Sequence, residues 1–185
     1  QEARVCGRAR RKARGEIGMR LWDPKYRGHR LQYLLQVILA AMVMFIILIL
    51  LDAITHAALV AALGASTFIA FAMPHREASK TRYLVGGYAV GIVSGGAVAV
   101  FRTLPWIAAV IASPPLSTAL WGAIAVGCAL FGMVVTDTEH PPAAGVALGL
   151  AIGELDPRAF AVISLGIVFL ATARRLMKPY LMDLI

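Results

Sequence analysis

Long apolar stretches separated by short polar connections constrain the fold of this chain most. Residues 33–51, 83–101 and 116–135 each form a run of 19 or 20 residues dominated by aliphatic, aromatic and small side chains. A helix of that length crosses the hydrocarbon core of a bilayer, which is about 30 Å thick. Only 15% of the residues are charged, whereas soluble domains contain about 25%. The sequence therefore predicts an all-α fold, a polytopic transmembrane helical bundle.

Three further apolar runs are shorter, at residues 57–73, 143–153 and 159–173. The first two are rich in small residues, and each is followed by a charged turn and a longer span. Short or interrupted segments in matching positions indicate a transport site built from broken helices. We expect about five to six helical segments, some short or broken. In one interpretation all six runs cross the membrane, and in the other residues 143–153 are re-entrant.

Basic residues are concentrated near the start of the chain. Ten of the 18 Lys and Arg residues precede residue 31, and others lie in residues 74–82 and 174–178. Positive charge beside membrane spans favours the cytoplasmic side. We therefore expect a multi-pass protein of the cell inner membrane with both termini in the cytoplasm. This parity requires residues 143–153 to cross the membrane.

The same charge distribution divides the chain into two parts. Residues 1–30 are predicted to form a basic cytoplasmic or interfacial segment, and residues 31–185 to form the transmembrane domain. A basic tail can also bind nucleic acid. Its position directly before a membrane span favours a topology signal instead, so we expect a lipid bilayer and no nucleic acid as partner.

A polar motif interrupts the apolar body at residues 136–145, with the sequence Thr-Asp-Thr-Glu-His-Pro-Pro-Ala-Ala-Gly. Ionisable residues between membrane-length segments are candidates for a functional site. Pro141 and Pro142 break a helix and can also open one, because proline has a helical φ and no amide hydrogen. A helix that starts there is expected to leave free amides from Ala143 through Gly145, which can bind an anion.

The side chains of the motif add to this hypothesis. His140 can donate a hydrogen bond that strengthens as the ring protonates near neutral pH. Asp137 and Glu139 would repel an anion at the same place, so we expect them to orient His140, cap the helix or carry protons in a coupled cycle. The alternative is a solvated cytoplasmic turn with a helix cap. The predicted substrate-binding residues are Ser66, Thr67, Thr138, His140, Pro141, Pro142, Ala143 and Gly145.

No metal, cofactor or enzymatic activity is expected. The carboxylates and the histidine of the motif are ligand types that bind divalent cations, but no second histidine or cysteine lies near them. Cys6 and Cys128 have the spacing of neither a disulfide framework nor a metal site. The serines have no adjacent His–Asp context, and no phosphate-binding glycine loop is present.

Glycines recur at every fourth residue in two of the apolar runs. Such a row gives a helix a smooth face that another backbone can approach closely. We predict a helix-packing role within one subunit or between subunits, and a pore lining is the alternative. The residues concerned are Gly87, Gly91, Gly95, Gly145, Gly149 and Gly153.

The motif around His140-Pro141-Pro142 resembles the signature of the HPP family of integral membrane proteins, which is named for this triplet. The matching segments also include Leu63-Gly64-Ala65-Ser66, Pro74-His75 with Arg82, and Gly86-Gly87. The resemblance covers roughly residues 33–175. Many relatives have Gln-Pro before the arginine and a histidine after Gly-Gly, where this chain has Lys80-Thr81 and Tyr88.

The resemblance implies a multi-helix membrane protein with a transport function. Plastid and cyanobacterial relatives are associated with nitrite transport, and some bacterial relatives carry cytoplasmic regulatory domains. We therefore expect a transporter or channel for a small solute, an anion such as nitrite, in which the His140 helix start faces an interruption at residues 64–67. The rival hypothesis is a non-catalytic structural or assembly subunit of a larger membrane complex. Both hypotheses are compatible with a homo-oligomer.

Overall fold

The computed structural model describes residues 24–51, 57–108, 114–154 and 156–184. No strand occurs in these ranges, and the connections contain a single helical turn, Pro105–Ala108, and two 3-10 turns, Glu77–Ser79 and Lys178–Tyr180. The all-α prediction with six helical segments is confirmed. The helices are α1 Pro24–Leu51, α2 Ala57–Ala72, α3 Thr81–Phe101, α4 Pro114–Thr136, α5 Pro141–Ile152 and α6 Pro157–Met177.

The predicted basic segment, residues 1–30, lies mostly outside the described residues. Its last part is helical, because α1 begins at Pro24. The backbone of His29 departs from helical geometry, with φ −129° and ψ 28°. A kink therefore lies within one or two residues of the predicted boundary between the basic segment and the membrane domain.

Within the described residues, four helices are long and apolar enough to cross a membrane, over Gly28–Ile47, Thr81–Phe101, Leu116–Thr136 and Pro157–Tyr180. The chain is therefore a multi-pass membrane protein. Helices α2 and α5 are also apolar but contain only 16 and 12 residues, which corresponds to roughly 24 Å and 18 Å.

Helix α5 runs parallel to α3. Gly87 lies beside His140, and Gly95, two turns further along α3, lies beside Ala147. Because both contacts advance in the same chain direction, the two helices enter from the same end of the bundle. They also finish at the same level, where Arg102 donates a hydrogen bond to the carbonyl of Gly153.

A non-helical connection joins α4 to α5. Residues 137–140, called the link below, connect the two helices without helical structure. Asp137 has a positive φ of 52°, whereas the backbone of His140 is extended, with φ −137° and ψ 95°. Because α5 starts beside Gly87 and ends at the level of Arg102, it runs along α3 towards the opposite end of the bundle, as a crossing by residues 143–153 requires.

The loops predicted to share one side lie together at one end of the bundle, called the basic end below. The Tyr33 hydroxyl donates to the Leu184 carbonyl at 3.0 Å, and the His75 amide donates to Asp183 at 3.0 Å. Arg82 donates to the Thr136 carbonyl at 3.2 Å. The start of α1, residues 74–82, the link and residues 178–184 therefore belong to the same end, as the charge distribution predicts.

The glycine row of α3 lies against the backbone of α5. A methyl group on Gly95 would lie 2.6 Å from the Ala147 carbonyl oxygen, and one on Gly91 would overlap the Ala143 carbonyl. One on Gly87 would lie 2.6 Å from the His140 Cβ. The two backbones meet this closely only because glycine carries no side chain. Helix α5 consequently sits at the centre of the bundle, in contact with α2, α3 and α4.

The glycine row of α5 is less uniform. A methyl group on Gly149 would lie 2.8 Å from the Leu59 side chain of α2, whereas one on Gly145 would meet Ala62 at an ordinary 3.6 Å. Gly153 ends the helix, and its amide bonds the Gly149 carbonyl. The row therefore faces α2 at two positions and serves as a helix cap at the third.

Helix α2 is continuous, so the predicted interruption at residues 64–67 is wrong. The Thr67 hydroxyl donates to the Leu63 carbonyl one turn earlier at 2.9 Å. Its hydrogen bond is thus satisfied within the helix, as is common for Ser and Thr in apolar surroundings. Gly64 is accommodated as an ordinary helical residue, with a methyl group there reaching Met44 only at 4.0 Å.

Candidate functional site

His140 is the centre of a polar cluster inside the bundle. It is the last residue before α5, its backbone is extended, and its side chain is fully buried. The ring Nε2 lies 2.8 Å from the Ser66 hydroxyl of α2, and Nδ1 lies 3.0 Å from the Ala78 carbonyl oxygen. The helix start and α2 therefore meet as expected, but through a side-chain hydrogen bond and not through a break in α2.

Tyr88 of α3 extends this cluster. Its hydroxyl lies 2.8 Å from that of Ser66, and its ring centroid lies 5.7 Å from that of His140. The tyrosine is fully buried. In the sequence, Tyr88 stands out only as a departure from the pattern of relatives, and it is not among the predicted site residues. A hydroxyl-bearing aromatic residue within an apolar span was the available signal, because buried polar groups in membranes need partners.

The direction of these hydrogen bonds follows from their chemistry. A carbonyl oxygen only accepts, so the bond to Ala78 places the proton of a neutral His140 on Nδ1. Nε2 then accepts from the Ser66 hydroxyl, whose oxygen accepts in turn from the Tyr88 hydroxyl. The cluster is a directed chain from Tyr88 through Ser66 and His140 to Ala78, with each donor satisfied.

The His140 ring lies inside the bundle and not in a solvated turn, and both of its nitrogens have hydrogen-bond partners. With Nδ1 donating to the Ala78 carbonyl, Nε2 of the neutral ring is a hydrogen-bond acceptor. That His140 gains a proton near neutral pH stays a prediction.

The start of α5 does not present the free amides expected from the sequence. Pro141 and Pro142 have no amide hydrogen, and the Ala143 amide donates to the His140 carbonyl at 2.9 Å. The amides of Ala144 and Gly145 lie within the helix, where each faces the carbonyl four residues earlier. An anion site formed by backbone amides from Ala143 onward is therefore not present.

The link has one buried and one exposed face. Thr138 and His140 are buried, whereas Asp137 and Glu139 are exposed, so the side chains alternate between the two faces. Asp137 pairs with Arg82 at 3.1 Å and accepts from the Tyr83 hydroxyl at 3.2 Å. Asp137 therefore does not orient His140. The alternative of a solvated turn therefore holds for Asp137 and Glu139 but not for Thr138 and His140, which are buried.

Two predicted site residues stand beside the cluster without joining it. Thr138 packs against Gly86, and its hydroxyl lies 2.7 Å from that of Thr136. Thr67 is buried but is bonded within its own helix. Of the predicted residues, Ser66 and His140 are thus brought into direct contact. In the described part of the chain, no group of three His, Cys, Asp or Glu residues has the arrangement of a metal site.

The helices and this buried cluster define a multi-pass helical membrane protein with a short helix at its centre. A family model of the HPP transmembrane region matches residues 26–178. The chain therefore belongs to the HPP family. No curated protein and no solved structure matches it.

Proposed function

We propose that this protein is a transporter or channel for a small solute, with an anion such as nitrite as the first candidate. The observation that carries the proposal is the hydrogen-bonded chain of Tyr88, Ser66 and His140, which is buried where α5 begins. Polar groups inside a membrane domain are costly and are typical of solute pathways. Transport sites also form at the ends of discontinuous helices.

The cluster has the chemistry to exchange its internal hydrogen bonds for bonds to a solute. The hydroxyls of Ser66 and Tyr88 can rotate without any movement of the backbone and then donate to a solute oxygen. His140 stays anchored by its Nδ1 bond to Ala78. The solute has to be small, because α3 approaches the His140 Cβ closely at Gly87.

Two features favour an anion. The carboxylates of Asp137 and Glu139 are exposed and lie on the face of the link opposite His140, so they do not line the cluster. The basic end carries an excess of Lys and Arg, which raises the local concentration of anions. The same excess favours a cytoplasmic location for this end, in an inner-membrane protein. Nitrite itself comes from the resemblance to HPP relatives.

The test is nitrite uptake by proteoliposomes that contain the purified full-length chain, with nitrate, formate and chloride as competitors. We expect saturable uptake by the wild type. Tyr88→Phe removes one hydroxyl from the cluster and should reduce uptake about tenfold, the effect of one lost hydrogen bond. The matched control is Tyr83→Phe, which removes the same atom from the same helix outside the cluster.

Two outcomes would contradict the proposal. One is the absence of uptake for every anion from folded protein in both orientations. In that case co-purification with other membrane proteins in fixed stoichiometry would support the assembly-subunit hypothesis. The other is equal uptake by the wild type and Tyr88→Phe, which would place the pathway away from the cluster.

A further inference from the structure

A buried arginine lies behind the polar cluster. Arg174 of α6 is only 4% exposed, and it donates to the Pro74 carbonyl and, at 3.0 Å, to the Ser79 hydroxyl. Its Nε has no hydrogen-bond partner among the described residues. The ion pairs found in those ranges join other residues, His75–Asp183, Lys80–Glu77 and Arg82–Asp137. The guanidinium is therefore held by neutral groups of the loop before α3.

This loop is folded around Arg174 and Ser79. Ser79 is fully buried, and its hydroxyl lies 2.8 Å from the Pro74 carbonyl and 2.7 Å from the Arg76 carbonyl. A hydroxyl has one hydrogen and can donate to one of these carbonyls at a time. The guanidinium supplies a further donor to Pro74, so the arginine satisfies an acceptor that Ser79 cannot always serve.

The residue next to Ser79 is the one that His140 contacts. The Ala78 carbonyl accepts the hydrogen bond from Nδ1 at 3.0 Å, and only one peptide unit separates it from the Ser79 side chain. The path from Arg174 to His140 thus consists of one hydrogen bond, one residue of backbone and a second hydrogen bond. Since Ala78 determines where the neutral ring carries its proton, the loop position determines whether Nε2, the nitrogen that faces Ser66, accepts or donates a hydrogen bond.

We propose that Arg174 is a positioning residue for His140. It holds the Ala78 carbonyl in place, so that His140 keeps its proton on Nδ1 and presents Nε2 as an acceptor to Ser66. The importance of this role for transport rests on the function proposed above, but the role itself does not. Burying the Arg174 guanidinium without a carboxylate partner is costly. The planar guanidinium donates to two acceptors, the Pro74 carbonyl and the Ser79 hydroxyl, and a lysine ammonium fits such a pair less well.

The test is the tautomer of His140, measured by nitrogen NMR on the full chain in lipid nanodiscs with labelled histidine side chains. The chain contains four histidines, and the His140 signal is identified by its loss in His140→Gln. We expect one tautomer with the proton on Nδ1 in the wild type. In Arg174→Gln the tautomer ratio should shift roughly fivefold to tenfold towards a proton on Nε2, the effect of losing one hydrogen bond.

The matched control is Arg175→Gln, which removes an exposed arginine from the next position and should leave the spectrum unchanged. Two milder variants keep the test decisive if Arg174→Gln does not fold. Arg174→Lys keeps one donor and should produce a smaller shift than Arg174→Gln, and Ser79→Ala should produce an intermediate shift. A single Nδ1-protonated tautomer in every folded Arg174 and Ser79 variant would overturn the proposal.

Uptake measurements separate this proposal from the proposed function. A tautomer shift in Arg174→Gln together with reduced nitrite uptake supports both. A shift in a protein whose wild type transports no anion supports the positioning role and refutes the transport function. Nitrite uptake by the wild type, with an unchanged tautomer in the variants, supports the transport function and refutes the positioning role.

Discussion

The two faces of the link differ although they share four consecutive residues. On the buried face, His140 bonds Ser66 and Ala78 inside the bundle. On the exposed face, Asp137 pairs with Arg82, and both side chains are more than half exposed. Hydrogen bonds and charges are stronger where water is excluded, whereas exposed ion pairs contribute little. The backbone conformation of this motif therefore determines its chemistry more than its charges do.

The largest effect is expected from His140→Ala. The variant leaves the Ser66 hydroxyl and the Ala78 carbonyl without their partner inside the bundle, which should lower the free energy of unfolding by about 2–4 kcal/mol. Anion uptake should fall to background. Reversible unfolding in detergent and proteoliposome uptake measure the two effects. The control is His75→Ala, an exposed histidine at the basic end, and similar losses in both variants would show that His140 has no special role.

Much of the fold follows from the sequence because its physical causes are local. Each apolar run is long enough to form a helix, and Pro141 places the start of α5 where the motif indicates. Charge near the membrane spans predicts which loops share one end. The error at residues 64–67 has a local cause too, since Gly and Ser weaken a helix in water but are common within packed membrane helices.

The site was less predictable because its partners are distant along the chain. His140 bonds Ser66, 74 residues away, and Ala78, 62 residues away. The rotation of each helix decides which side chains meet, and periodicity alone does not determine that rotation when a helix is apolar all round. Tyr88 and Arg174 were missed for this reason.

A methyl group on the surface of α3 should displace the buried face of the link without removing any of its hydrogen-bonding groups. Gly87→Ala would place a carbon 2.6 Å from the His140 Cβ and 2.9 Å from the Thr138 carbonyl oxygen. We expect a loss of about 1–3 kcal/mol in stability through overpacking, together with reduced uptake. Gly145→Ala is the matched control, because its methyl group has an ordinary contact of 3.6 Å. Equal stability of the two variants would show that α3 and α5 can separate freely.

On the exposed face of the link, Asp137 should tolerate substitution by a residue that readily adopts its left-handed backbone conformation. Asp137 has a positive φ of 52°, a conformation that asparagine adopts more readily than alanine. Asp137→Asn should cost at most about 0.5 kcal/mol because the pair with Arg82 is exposed. Asp137→Ala should cost about 1–2 kcal/mol because it adds backbone strain. Chemical denaturation of the two variants measures this difference, and equal losses would assign the effect to the ion pair.

The smallest effect is expected from Glu139→Gln. Glu139 is exposed, and the alternation of the link directs its side chain away from the face that holds His140. Uptake should therefore stay within about twofold of the wild type, since the charge is screened by solvent. The measurement is the initial rate of nitrite uptake with and without an imposed pH gradient. A large loss confined to the gradient-driven rate would restore Glu139 as a proton carrier and would mean that the exposed face takes part in transport.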